Sequence, residues 1–134
     1  KQGYSGQADW EMIKKVKKSV KVVVIGNGDV DSPEKFKKRL EESRVDYIMI
    51  GRGAIGNPYL FKQINDYLKD GKYGEKDKKE QFIEYLKLAK KYKIDLNHIR
   101  LHALAFTKGI VGGARLRKCI SIAKSVSEIE DIMK

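Results

Sequence analysis

The sequence predicts a mixed fold: two parallel strand–loop–helix units of an α/β sheet or barrel, followed by an all-helical domain of four helices packed as a bundle. Three observations carry this expectation. Two apolar runs rich in β-branched residues, Val22-Val23-Val24-Ile25 and Tyr47-Ile48-Met49-Ile50, are each followed by a short glycine-bearing loop and then a helix-like segment, which is the order of parallel strands joined by crossover helices. Such runs stop at the breaker Asp70-Gly71-Lys72-Tyr73-Gly74. Beyond it, apolar residues recur at spacings of three and four in successive stretches, the period of helices that bury one face.

The elements follow in order. Ala8 to Val20 places Trp10, Ile13, Val16 and Val20 on one helical face, with acidic residues near its start and lysines at its end, as the helix dipole favours. Lys21 to Ile25 is the first expected strand. Asp31-Ser32-Pro33-Glu34 signals a helix start, containing an N-cap candidate and proline in the first turn, and the helix runs to Ser43. The second strand is expected from Asp46 to Ile50. Asn57 as cap and Pro58 at the first position open a third helix to about Lys69. Further helices are expected over Lys76 to Tyr92, Leu96 to Lys108, Ala114 to Lys124 and Ser127 to Met133. Tyr85, Tyr92 and Phe106 fall at helical spacing among aliphatics and read as core packing in preference to base stacking.

Composition narrows the function classes. The chain has 134 residues, 41% of them hydrophobic and 35% charged, the balance of a water-soluble domain. It contains no apolar run long enough for a membrane span and no leader-like amino terminus, so a cytoplasmic protein is expected. The opening at Lys1 rather than at methionine suggests a piece of a longer chain. Cys119 is the single cysteine, and His98 and His102 are the two histidines. That set provides neither an internal disulfide nor a Cys/His zinc cluster, and Cys119 reads as a small hydrophobe beside an apolar stripe.

The formal net charge of +11 is unevenly distributed. Between Lys87 and Lys124 ten Lys/Arg face Asp95 as the sole acidic residue. A solvated surface in which Lys and Glu rise together would carry glutamates here as well; the absence of Glu from the stretch favours a polyanionic partner. Lys87, Lys90, Lys91, Arg100, Arg115, Arg117 and Lys118 are the candidates for nucleic-acid contact, with a solvated basic face as the alternative.

The two glycine loops, Asn27-Gly28-Asp29 and Gly51-Arg52-Gly53-Ala54, sit where parallel α/β proteins carry ligands, at the carboxyl ends of strands. Glycine permits positive φ and close backbone approach, and the following helix amino termini present unpaired N–H groups. Arg52 adds a charge-assisted contact to a phosphate. Singly, Asn-Gly-Asp also suits an ordinary turn and Gly-Arg-Gly an ordinary bend; their recurrence at the same point of successive units strengthens the phosphate reading.

With these loops go their flanks: Gln2-Gly3-Tyr4-Ser5-Gly6-Gln7-Ala8-Asp9-Trp10, then Gly26-Asn27-Gly28-Asp29-Val30, then Met49-Ile50-Gly51-Arg52-Gly53-Ala54-Ile55-Gly56-Asn57-Pro58-Tyr59-Leu60-Phe61. In this order and spacing the segments resemble the tRNA-dihydrouridine synthases. The likeness is specific over residues 1 to about 64 and looser in the later helices. It implies that residues 1–72 are the last two units of a (β/α)8 TIM barrel that binds FMN at its carboxyl mouth, and that residues 73–134 are a helical tRNA-binding domain. In that family NADPH reduces the flavin, which passes a hydride to C6 of a flipped-out uridine while a loop cysteine protonates C5. The need to extract the base is general for enzymes acting on nucleobases. Carried over by motif, Asn27, Gly28, Asp29, Gly51 and Arg52 would hold the FMN phosphate and its neighbours, and Tyr4 would lie near the flavin mouth.

The family's catalytic cysteine lies on an earlier strand, outside this chain, and Cys119 in the helical part does not inherit its role. The chain is therefore expected to contain no catalytic residue, to be inactive alone, and to associate with the missing barrel portion or with itself through exposed strands. Two other readings stay open: an RNA-binding helical module capped by the strand–helix units, or another FMN- or phosphate-binding barrel.

Overall fold

Asp46, one residue before the second strand, sets where the sheet of this protein begins. The structure, a computed structural model, describes residues 6–134; Tyr4 lies outside the described residues. The chain divides into two compact units, one running to Ala54 and resuming over Leu60–Gly74, the other made of Ile55–Tyr59 and Glu75–Lys134.

In the first unit, helix α1 (Trp10–Ser19) starts at Asp9, whose carboxylate accepts the Met12 N–H at 2.9 Å, and ends in Lys17 and Lys18. Strand β1 (Ile25–Asn27) pairs in parallel with β2 (Tyr47–Met49), in the register Ile25↔Tyr47, Gly26↔Ile48 and Asn27↔Met49. Between them α2 (Pro33–Ser43) is capped by the Ser32 hydroxyl, which accepts the Lys35 N–H at 3.2 Å. It stops at Arg44, where φ is 59° and the N–H closes on the Leu40 carbonyl.

The first strand is shorter and later than its β-branched run predicts. Asp46 accepts the Val24 N–H at 2.8 Å, while the Asp46 and Tyr47 N–H groups donate to the Val24 carbonyl at 3.1 and 3.4 Å. The ladder is thereby terminated by a side chain, and residues before Ile25 have no strand opposite. Val22 and Val23 are accordingly 67% and 65% exposed. Strand propensity is realised only against a neighbouring strand or a packed face, and here neither reaches Val22.

Side chains alternate across the sheet. Ile25, Tyr47 and Met49 project to an exposed face, whereas the opposite side meets the core of Trp10, Val30 and Val45, with Phe36, Leu40 and Ile48 around it. After a single 3-10 turn over Arg52–Ala54, helix α3 (Leu60–Asp70) packs against α2. It starts two residues beyond the position expected from Asn57 and Pro58, which lie in a turn instead.

That turn belongs to the second unit and is held by contacts within it. Gly56 has φ 76°, and a Cβ there would lie 2.6 Å from the backbone carbonyl of Ala105. The Lys78 ammonium donates to the Gly56 carbonyl at 2.8 Å, and the Gln81 side-chain oxygen accepts the Tyr59 N–H at 3.2 Å. Burial pulls the Lys78 pKa below its ordinary 10.5, with Glu75 opposing the shift. Tertiary contacts thus override a favourable capping sequence.

The second unit contains α4 (Lys78–Lys91), α5 (Leu96–Phe106), α6 (Gly113–Ile122) and α7 (Val126–Met133). Asp77, Asp95 and Ser125 cap three of them through side-chain acceptors, each cap contributing roughly 0.5–2 kcal/mol. Phe82, Leu86, Ile99, Phe106, Ile120 and Ile129 centre the core, with Phe82 and Phe106 edge to face at 5.6 Å. Tyr85 joins them, 5.8 Å from Phe106 and stacked on His102 at 4.9 Å. Tyr92 does not: it is 67% exposed. Helix α4 has ended at Lys91 and the chain turns through Lys93 at φ 53°, so the Tyr92 ring extends past the last packed turn. Among the described residues no helix is long and apolar enough to cross a membrane, and no group of three or more His, Cys, Asp or Glu residues could hold a metal ion.

Two measurements check this packing. Gly56→Ala should destabilise the protein well beyond the ~1–2 kcal/mol of a left-handed backbone alone, because the methyl meets backbone. Gly71→Ala, at φ 70° in open space, should show only the backbone cost; equal losses in urea melts would refute the contact. Asp46, held below the ordinary 3.8 by hydrogen bonds from Lys17 and then Val24, contributes stability that is present above its unfolded pKa and is lost as pH falls through its lower folded value. Asp46→Asn should therefore melt below the parent at neutral pH, with the difference closing in acid below the usual carboxylate range.

Candidate functional site

Parallel pairing brings the two glycine loops to the same edge of the sheet, since Asn27 and Met49 are register partners at the ends of β1 and β2. Asn27 is exposed at its strand end. Gly28 has φ 138°, and a Cβ on it would sit 2.2 Å from the Ala8 methyl; glycine is required there both for conformation and for space. Asp29 follows at φ 52°, a left-handed conformation that Asp tolerates better than most residues.

The Asp29 carboxylate ties three chain segments together. Oδ2 accepts the Ala8 N–H at 2.7 Å and Oδ1 accepts the Arg52 Nη2 donor at 3.1 Å. The guanidinium is thus tied to the first loop, and the Arg52 side chain is 64% exposed. Gly53 approaches from the other loop so closely that a Cβ would lie 2.2 Å from the Val30 carbonyl oxygen. Gly51, by contrast, has open space around it.

Beneath the first loop lies Trp10, which is 4% exposed. Its indole N–H donates to the Gly28 carbonyl at 3.0 Å, and its ring edge would be 2.8 Å from a Cβ on Gly26. Ala8 and Trp10 are the supporting residues that sequence periodicity missed. Helical spacing assigns Trp10 to an apolar stripe, and the 18-residue separation from Gly28 carries no local signal; the available hint was its place in the Gln7-Ala8-Asp9-Trp10 segment.

Chemically, the edge offers an exposed guanidinium, the N–H groups of a tight turn and a backbone stripped of side chains at the points of closest approach. This set suits an anionic oxygen ligand such as a phosphate monoester. The Asp29 carboxylate orients Arg52.

The basic residues occupy several helices of the second unit. Lys90 forms an ion pair with Glu130 of α7, whose pKa is lowered by hydrogen bonds from Lys90 and then Lys134. Arg100 clips α5 to the end of α6, donating to Asn97 Oδ1 at 2.8 Å and to the Ala123 carbonyl at 2.6 Å, while its Nε is buried without a partner among the described residues. Arg117 donates to the Thr107 hydroxyl at 3.3 Å, and the Lys91 ammonium lies 5.5 Å from the Tyr92 ring centroid. Lys87, Arg115 and Lys118 are exposed. Cys119, half-buried on α6, is a free thiol.

The family model described as "Dihydrouridine synthase (Dus)" matches residues 1–133. Among curated proteins, a probable tRNA-dihydrouridine synthase of Rickettsia prowazekii is 33% identical over 139 residues, covering 97% of this chain and 42% of that protein. A probable tRNA-dihydrouridine synthase of Rickettsia bellii is 56% identical over 70 residues, 52% of this chain and 22% of that protein. The tRNA-dihydrouridine synthase B of Pseudomonas aeruginosa is 44% identical over 70 residues, covering 52% and 21%. The chain spans between about a fifth and two-fifths of the length of these relatives. The match runs through both units, from the supports of the glycine loops to the last helix, and the chain belongs to the dihydrouridine synthase family.

Proposed function

We propose that this chain is the carboxyl-terminal part of a flavin-dependent tRNA-dihydrouridine synthase, the oxidoreductase that reduces uridine to 5,6-dihydrouridine in tRNA. Residues 1–72 contribute the last two units of its FMN-binding TIM barrel, and residues 73–134 form a four-helix domain that grips tRNA. The observation that carries this reading is the shared edge of the two glycine loops, with Arg52 tethered there by Asp29.

In this reading Asn27, Gly28, Asp29, Gly51 and Arg52 form the phosphate side of the cofactor pocket. Arg52 binds the phosphate, Asp29 holds the guanidinium in place, and the bare backbone at Gly28 and Gly51 admits the ligand. When bound, FMN supplies the hydride for the uridine double bond, with NADPH as the ultimate reductant. The proton donor belongs to the barrel portion upstream, and Cys119 has no part in the reaction. The exposed row of Ile25, Tyr47 and Met49 is the face that the remaining strands cover; a second copy of the chain is the substitute when they are absent.

The charge distribution supports tRNA as the partner of the helices. Of the seven basic candidates, Lys87, Arg115 and Lys118 contact phosphates, whereas Lys90 and Arg100 are engaged within the unit.

Titration of the chain with tRNA should show affinity falling steeply with salt, because each neutralised phosphate releases counterions. Replacing Lys87, Arg115 and Lys118 by alanine should reduce the salt slope by about one per residue. Absence of binding at low salt would refute the tRNA role of this chain. In a single-turnover assay with reduced flavin and unmodified tRNA, the chain alone should form no dihydrouridine; product formation would place the proton donor within it.

A further inference from the structure

Tyr92 is an aromatic side chain that the core of the helical unit does not use. Phe82 and Phe106 are buried and Tyr85 packs on Phe106 and His102, but Tyr92 as a residue is 67% exposed. One turn earlier on the same face of α4, Leu88 is 56% exposed, and Ile94 beyond the helix end is 42% exposed. These three form an apolar strip at the carboxyl end of α4, where Tyr92 N–H closes on the Leu88 carbonyl and Ile94 N–H on that of Ala89.

The surroundings of the strip are cationic. Lys91 lies over the ring at 5.5 Å, Lys93 follows in the left-handed turn, and neither has an ion-pair partner among the described residues. The nearest acidic residue in sequence, Asp95, is taken up by the His98 ring and by the Asn97 and His98 N–H groups. An apolar partner surface would have to bury these uncompensated lysines, at considerable desolvation cost. A nucleic-acid strand satisfies both features together, a π face for the ring and phosphates for the ammonium groups.

We propose that Tyr92 is a stacking platform for an unpaired base of RNA, with Lys91 and Lys93 holding the adjoining phosphates. The proposal rests on the reading of the helical unit as an RNA-binding domain and adds to it a contact mode other than phosphate attraction. Stacking needs an accessible base face, which a duplex hides, so the platform selects looped or terminal nucleotides over paired ones.

The test compares tRNA, single-stranded oligouridylate and a blunt RNA duplex as ligands of the parent chain and of Tyr92→Phe, Tyr92→Leu and Tyr92→Ala, each across a salt series. The cap at this position uses the backbone N–H, so the variants retain α4, and equal melting temperatures verify this. Tyr92→Ala and Tyr92→Leu should weaken oligouridylate binding on the order of tenfold with an unchanged salt slope. Tyr92→Phe should bind as the parent does, and duplex binding should not respond. If the parent binds tRNA and oligouridylate but Tyr92→Leu binds equally well, the stacking proposal fails while the tRNA reading stands. If the parent binds no RNA at low salt, both fail. Variants that lose only self-association would assign Tyr92 to a protein contact and overturn the proposal.

Discussion

The first unit depends on a steric constraint at Trp10. Its indole needs bare backbone at Gly26, and its N–H takes the Gly28 carbonyl. Ala8, two residues before it, leaves no room for a Cβ on Gly28 and donates its own N–H to Asp29. The amino-terminal segment therefore dictates where β1 ends and how the chain turns. Burial of so large a ring favours folding by roughly 1.5–3 kcal/mol or more, and the same burial orients the loop. Stability and site geometry have one origin here, which explains why the Ala8–Trp10 and Gly26–Asp29 segments belong to one pattern although they are far apart in sequence.

The helical unit rests on a different balance. Its contacts join successive helices, and α7 returns to both α4 and α5. Side-chain caps at Asp77, Asp95 and Ser125 satisfy the helix starts, and α6 is the exception, beginning at Gly112 with φ 74° and no side-chain cap. The cationic surface exists alongside this framework because only part of the positive charge is spent internally: Lys90 and Arg100 hold helices together, whereas Lys87, Arg115 and Lys118 remain at the surface.

What could be read from the residues were features with a local cause. The Asp31-Ser32-Pro33-Glu34 segment starts α2, and the three-and-four spacing of Phe82, Leu86 and Ala89 gives the buried face of α4. What escaped reading depended on partners distant in sequence. Val22 and Val23 look like a strand, yet Asp46 ends the ladder before them. Asn57 and Pro58 look like a helix start, yet Ala105 and Gln81 capture their neighbours. Tyr92 shares the period of Tyr85, yet the helix stops before its ring reaches cover. In the site, glycine spacing indicated the loops, while the tether between Asp29 and Arg52 is a consequence of strand register and has no signature in either loop alone.

The close approach of Gly53 to the Val30 carbonyl has a mechanical consequence. With the Arg52–Asp29 bridge beside it, it couples the two loops, so that neither can open without moving the other. Under the proposed phosphate role, an anion at this edge would meet loops that are already fixed relative to each other, which lowers the conformational entropy lost on binding. The same coupling limits adaptability: a bulkier residue at position 53 would separate both loops at once.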